Sequence, residues 1–398
     1  MSIEKKPNKW VKHLLLSAIR LHLHRITTFH VTKNDTKDLK PPYLIVSNHV
    51  NNWDPLYINL FVDEPIAFVA GEPLFRNPLL KKILNYTGAI PKTKFKNDTS
   101  TIRNVLKAKQ HNRVIGLFPE GGRNWDGVTE PIIYSTAKLV KLLKIPVVAV
   151  QIKGGYLTHP RWGDGDRKGM IELTFNKIWD GEDIADLSVS TIHEQLTKSL
   201  YHDEMDWQKK KGYSYHSKHI AHYLERLLFT CPSCHTIGNM RSDHDTFQCD
   251  NCNYQVLLTE QGYFHCEDAL YFATPFEWKQ WQQQHLDQLS LTTDTLSEMQ
   301  EQVEFYQSIN QKPLKRVMKG TIRLDYKQIH IHSADGSSKS FSFEDMEGIN
   351  ILFHHKLDFF VNDTLFRITF SNPRASAYMW IQLIQHLKAK LAIKEQSS

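Results

Sequence analysis

The sequence predicts an α/β domain with an amphipathic N-terminal helix, followed by two smaller modules, and three observations predict it. Between residues 41 and about 177 short apolar runs alternate with helical stretches; two Cys-x2-Cys pairs follow, at Cys231 and Cys249; and beyond Pro313 the pattern changes to period two. At 398 residues the chain has room for about two to four domains. With 41% hydrophobic and 23% charged residues it does not fit collagen-like, coiled-coil or polytopic membrane classes.

The first element is a basic arm, residues 1–40. It carries nine bases and three acids, an excess equal to the +6 of the whole chain, so the other residues are formally neutral. A neutral body argues against a nucleic-acid-coating surface, and a basic arm suits an anionic lipid surface. Within it, residues 10–29 read as an amphipathic helix. Lys9, His13, Ser17, Arg20 and His24 share one side, and Val11, Leu15, Ala18, Ile19 and Ile26 fall largely on the other. The apolar stretch 14–19 is too short for a secretory h-region, and no run of about 20 apolar residues suggests a membrane span. The arm is therefore expected to lie on the cytoplasmic face of a membrane, peripheral or monotopic; the alternative is an amphipathic helix packed on its own domain.

In the α/β domain, residues 41–180, strands are predicted at 44–47, 66–69, 89–91, 114–118, 147–152 and 171–175. Helices are predicted between them at 55–61, 78–84, 99–109 and 135–143. Residues 181–228 read as a helical extension, with clear periods at 184–200 and 218–228. The first cysteine module spans 229–258, and a helical linker, 259–312, contains the Gln-rich stretch 276–311. Residues 313–395 read as six short antiparallel strands closed by one helix, 375–391.

Two loops at predicted strand ends carry chemistry. In the first, Asn48-His49-Val50-Asn51-Asn52-Trp53-Asp54-Pro55, five residues along one helix would turn His49 and Asp54 about 140° apart, so a turn must bring them together. In that arrangement the carboxylate orients the imidazole as a general base needs; the alternative is Asp54 as a plain helix N-cap ahead of Pro55. The second loop, Phe118-Pro119-Glu120-Gly121-Gly122-Arg123, pairs glycines that allow close backbone approach with a guanidinium fork suited to phosphate; the alternative is an ordinary turn with solvated charges.

In this order and about seventy residues apart, the two loops resemble the glycerolipid acyltransferase family typified by 1-acylglycerol-3-phosphate acyltransferases. Asn48, His49 and Asp54 match its His-x4-Asp block, and Phe118, Pro119, Glu120, Gly121 and Arg123 match its Phe-Pro-Glu-Gly-x-Arg block. The segment Ile145-Pro146-Val147-Val148-Ala149-Val150 is similar to its later hydrophobic block. The likeness covers about residues 10–180. One block departs: where the family has Gly-x-Ile-x-x-x-Arg, this chain reads Gly88-Ala89-Ile90-Pro91-Lys92-Thr93-Lys94, and lysine lacks the planar fork of arginine.

The resemblance implies transfer of an acyl group from a coenzyme A or carrier-protein thioester to a lysophospholipid hydroxyl, in phospholipid biosynthesis. Lysophosphatidic acid is the foremost acceptor and phosphatidic acid the product, with His49 and Asp54 catalytic. Lys92, Lys94, Glu120, Gly121 and Arg123 would bind substrate, and Pro146 would line the acyl path. The alternatives are another lysophospholipid or glycolipid acceptor, or a non-catalytic lipid-binding scaffold.

Cys231, Cys234, Cys249 and Cys252 form two knuckles fourteen residues apart, a spacing that supplies four thiolates to a tetrahedral Zn²⁺ and resembles a zinc ribbon. With all four positions filled by protein the metal is expected to be structural. Residues 231–252 hold one base, Arg241, against Asp243, Asp245 and Asp250, a poor phosphate reader, so a protein partner is favoured over nucleic acid. The C-terminal β domain weakly resembles a pleckstrin-homology or GRAM-like fold.

Overall fold

The computed structural model of the chain describes residues 3–92, 99–267, 269–288, 296, 299–308 and 313–396. It divides into two compact units, the first comprising Met1–Arg161, Gly165–Ser217 and Glu260–Gly262 and the second Trp162–Asp164, Lys218–Thr259 and Tyr263–Ser398.

The first unit is built on a seven-stranded sheet. Its strands are β1 (Thr27–Asn34), β2 (Tyr43–Ser47), β3 (Ile66–Gly71), β4 (Ile90–Lys92), β5 (Val114–Leu117), β6 (Val147–Lys153) and β7 (Gly169–Trp179), in the spatial order β1-β7-β6-β2-β5-β3-β4. All neighbours run parallel except β6 and β7. The helices are α1 (Lys9–Ile26), α2 (Asp54–Asn59), α3 (Pro78–Thr87), α4 (Thr99–Gln110), α5 (Ser135–Leu143), α6 (Gly155–Thr158), α7 (Asp183–Asp186), α8 (Val189–Leu200) and α9 (Glu204–Lys211). Central strands of a parallel sheet are covered on both faces, which is why β2, β5 and β6 read as apolar runs rather than alternating ones. Leu44, Ile45, Val46, Ile115, Val148 and Val150 are all fully buried. Because β2 and β5 are parallel neighbours, the loops leaving their C-terminal ends emerge side by side.

The first departure from the sequence reading lies at the N-terminus. The helix ends at Ile26, and residues 27–34, read as helix end and arm, form the edge strand β1, registered with β7 from Thr27↔Gly169 to Asn34↔Phe175. Alternation in Thr-Thr-Phe-His-Val-Thr-Lys-Asn is the strand signal that the preceding helical period masked. Helix α1 is docked by two of its bases. Lys12 Nζ donates to the carbonyls of Val62, Asp63 and Glu64 at 2.6, 3.1 and 3.0 Å, and Arg20 donates to that of Leu60 at 3.1 Å. These carbonyls follow the C-terminal end of α2, where unpaired backbone acceptors favour a cation. On the opposite side Trp10, Leu14 and Leu21 are 83%, 74% and 64% exposed, beside the polar Ser17 and Arg25, so the most exposed large apolar residues of α1 are not the Val11, Leu15, Ala18, Ile19 and Ile26 of the expected apolar side. Among the described residues no helix is long and apolar enough to cross a membrane.

The second departure is at 218–228, where the apolar period does not form a helix. Only a 3-10 turn, Leu224–Arg226, is present, preceded by Tyr223 at φ +72°, which breaks any helical run. Ile220, Ala221, Leu224, Leu227 and Leu228 are instead buried as an irregular segment of the second unit.

The second unit holds two sheets. The strands β8 (Met240–Asp243), β9 (Thr246–Cys249), β10 (Gln255–Leu258) and β11 (Phe264–His265) form an antiparallel sheet in the order β11-β10-β9-β8. Helix α10 (Pro275–Gln288) follows. The larger antiparallel sheet comprises β12 (Gln300–Ser308), β13 (Lys315–Leu324), β14 (Gln328–His332), β15 (Ser338–Ser342), β16 (Glu347–Leu352), β17 (Lys356–Val361) and β18 (Thr364–Phe370), ordered β15-β14-β13-β12-β18-β17-β16, and a helix, Ala377–Gln396, closes the chain. Among the described residues the expected antiparallel sheet therefore has seven strands rather than six. The extra one, β12, falls in the stretch 276–311 read as helical. Gln and Glu are good helix formers, yet Val303 and Phe305 alternate inward and β12 pairs on both sides, with β13 and β18.

Candidate active site

The turn between β2 and α2 brings His49 and Asp54 together as the sequence required. His49 Nδ1–H donates to Asp54 Oδ2 at 2.7 Å, and the same oxygen accepts the backbone N–H groups of Val50 at 2.7 Å and Asn51 at 3.0 Å. Asp54 is fully buried and begins α2 after Trp53, so its carboxylate faces back into the turn instead of capping the helix. Two asparagines fix that turn. Asn48 exchanges two 2.8 Å hydrogen bonds with the backbone of Ile152 near the end of β6, and Asn51 Nδ2 donates to Gly155 O at 3.1 Å.

The imidazole of His49 stacks on Phe118, the ring centroids 4.2 Å apart, and Phe118 stacks on Phe68. The His49 side chain keeps 21% of its exposure, with Nδ1 committed to Asp54. Burial pushes its pKa below the ordinary 6.5, outweighing the Asp54 carboxylate that pulls it up; the charges of Arg123 and Arg161 push it further down. The ring is thus a neutral imidazole near pH 7.

The second loop, after β5, is tied directly to the first. Glu120 accepts the His49 backbone N–H at 2.5 Å through one oxygen and the Glu130 N–H at 2.8 Å through the other. Asn124 N–H donates to His49 O at 3.0 Å. Burial pushes the Glu120 carboxyl up to about 8. Gly121 sits at φ +74°, a backbone conformation that favours glycine, and the nearest atom to a Cβ there would be the movable end of the exposed Ile133 side chain at 2.8 Å. Burial lowers the Arg123 guanidinium to about 10, with Asp54 the charge that opposes it.

The other sequence candidates fare differently. Lys92 ends β4, opposite Gly71 at the end of β3, on the sheet end that carries His49 but near the sheet's edge. Lys94 lies outside the described residues. Pro146 does not reach the site: it precedes β6, its carbonyl accepting from Leu44 at the start of β2, about 20 Å along the strands from the His49 turn. The hydrophobic block containing it is the buried strand β6. Sequence reasoning missed Arg161, whose Nη1 donates to Arg123 O at 2.6 Å and whose guanidinium lies 4.3 Å from the Trp125 ring centroid.

The acyltransferase family model matches residues 28–153. This region is an acyltransferase domain. The matched span runs from β1 to the end of β6 and so contains the His49 turn and the Glu120 loop of the acyltransferase domain. Among solved structures the chain is similar to the 1-acyl-sn-glycerophosphate acyltransferase PlsC from Thermotoga maritima, at 18% identity and a TM-score of 0.42, covering 50% of this chain and 81% of that one. Comparison with curated proteins finds no match.

A separate cluster lies in the second unit. The sulfurs of Cys231, Cys234, Cys249 and Cys252 lie within 4.8 Å of one another, with Cys231–Cys252 at 3.6 Å and Cys234–Cys249 at 3.7 Å. Disulfides need about 2.05 Å, whereas four thiolates about 2.3 Å from one Zn²⁺ stand about 3.8 Å apart. The donor set fits zinc, and Thr236 and Asn251 add hydrogen bonds to Cys234 at 3.1 and 3.5 Å.

Proposed function

We propose that the chain transfers a fatty acyl group from a thioester donor to the free hydroxyl of a lysophospholipid, with 1-acylglycerol-3-phosphate as acceptor and phosphatidic acid as product. The observation that carries the reading is the buried Asp54 carboxylate holding His49 Nδ1 at 2.7 Å within an acyltransferase domain. An alcohol is a poor nucleophile at neutral pH. His49 Nε2 takes its proton as the oxygen attacks the thioester carbonyl, Asp54 stabilises the imidazolium, and the departing thiolate receives that proton. The acyl group passes directly to the acceptor. Arg123 and Gly121 receive the glycerol phosphate, Glu120 sets the loop that presents them, and Lys92 and Lys94 add positive charge. The donor is a coenzyme A or carrier-protein thioester.

The exposed Trp10, Leu14 and Leu21 of α1 would enter the head-group region of the cytoplasmic membrane face, supported by Leu79 and Ile83 of α3, which are 70% and 52% exposed. Leu14→Asp is expected to weaken binding to anionic vesicles about tenfold, the order of one buried leucine side chain, as read by co-sedimentation. The four-cysteine cluster would hold one structural Zn²⁺ and present a protein-contact module. Metal analysis should give about one zinc per chain, and a ratio near zero in freshly purified protein would refute it.

The reading is tested by offering purified protein an acyl thioester and a panel of lysophospholipids in vesicles. Phosphatidic acid formation supports it; product from another acceptor alone redirects the head-group assignment; silence across donors and acceptors contradicts it.

A further inference from the structure

The site has a second guanidinium that the reaction above does not use. Arg161 follows α6, in a segment pinned at both sides: Arg167 N–H donates to Thr158 O at 2.7 Å, and His159 Nδ1 meets Asp166 Oδ1 at 2.8 Å. Its own guanidinium is fixed by the Arg123 carbonyl at 2.6 Å and by the Trp125 ring. A Cβ built on Gly122 would lie 4.0 Å from Arg161 Nη1, so the glycine loop and this fork face one another.

The Arg161 guanidinium therefore stands at the loop that carries Arg123, and the charges of both arginines push the His49 pKa down. A planar guanidinium held over an indole ring and against the glycine loop is already ordered for a tetrahedral anion. A phosphomonoester bound there would also offset the part of the His49 depression that the two arginines cause, the larger part being due to burial.

We propose that Arg161 is a second ligand for the acceptor's phosphomonoester, acting with Arg123 and setting the preference for a phosphate over a neutral head group. The inference deepens the acyl-transfer reading and rests on it for the identity of the acceptor. The phosphate chemistry could equally belong to the thioester donor, and the experiment separates the two.

Glycerol 3-phosphate binding to the full-length chain is measured by calorimetry for the native protein, Arg161→Gln and Arg161→Lys, with melting temperatures in parallel. Steady-state KM values are then taken for lysophosphatidic acid, for monoacylglycerol and for the thioester. Losing a charge-assisted hydrogen bond predicts about tenfold or greater weakening of glycerol 3-phosphate binding in Arg161→Gln, with partial recovery in Arg161→Lys. A matching rise is expected in KM for lysophosphatidic acid alone, with the monoacylglycerol and thioester values within about twofold. Unchanged glycerol 3-phosphate affinity in a folded Arg161→Gln, or no binding by the native protein, overturns the proposal, and so does a rise confined to the thioester KM. Arg161-dependent glycerol 3-phosphate binding without acyl transfer to any acceptor would sustain the site and sink the acyl-transfer reading.

Discussion

Two histidine–carboxylate pairs in the first unit have nearly the same contact and different settings. His49 meets Asp54 at 2.7 Å and His159 meets Asp166 at 2.8 Å, both through Nδ1. Asp54 has no exposure, and the oxygen facing the ring also accepts two backbone N–H groups; the Asp166 side chain keeps 25% of its exposure. His49 leaves a strand end and stacks on Phe118, while His159 helps pin the segment that presents Arg161. The difference teaches that distance does not make a general base. A carboxylate locked by main chain holds one tautomer and one ring orientation, whereas a carboxylate that keeps a quarter of its exposure can exchange partners with water.

The comparison is broken most sharply at the carboxylates. Asp54→Asn leaves the shape and removes the charge, and turnover should fall about 10²- to 10⁴-fold. Asp166→Asn should cost at most about fivefold, the scale of a partly exposed ion pair. Steady-state kinetics on the two variants decides; equal losses would erase the distinction.

A pH–rate profile sharpens it. The base must be unprotonated, and burial holds the His49 pKa below 6.5, so kcat/KM should rise about tenfold per pH unit up to an apparent pKa under 6.5 and level off above it. A limb with its midpoint above 7 would contradict the burial argument.

Glu120 gives a smaller, separable effect on stability. Its folded pKa is raised from 4.5 to about 8, so between those values the folded chain holds a proton that the unfolded chain has released, and stability falls as pH rises across that window. Glu120→Gln should flatten this pH dependence. It should also cost about 1–3 kcal/mol overall, because an amide can accept only one of the two backbone N–H groups now bound. Melting curves at pH 5 and pH 8 check both parts.

Much of the first unit was legible because buried parallel strands announce themselves as apolar runs, and the observed strands lie within a few residues of those expected at 44–47, 114–118 and 147–152. The His49 turn was legible too, since a spacing of five cannot share a helical face. What escaped was set by tertiary contact. Strand β12 is rich in helix-forming Gln and Glu and is held in the sheet by its two neighbours. The apolar period at 218–228 looks helical, yet those residues are buried around a positive-φ Tyr223. Pro146 was grouped with the site because it shares a block with β6, although it stands at the strand's far end. Arg161 gave no sequence signal, since only the fold sets it against the Arg123 carbonyl.

The most direct test of the central claim is kcat for His49→Ala beside His159→Ala, with melting temperatures showing that both variants are folded. His49→Ala should lose about 10²- to 10⁴-fold while His159→Ala stays within about fivefold of the native rate. Native-level turnover in a folded His49→Ala, or an equal collapse in His159→Ala, would contradict the assignment of His49 as the base.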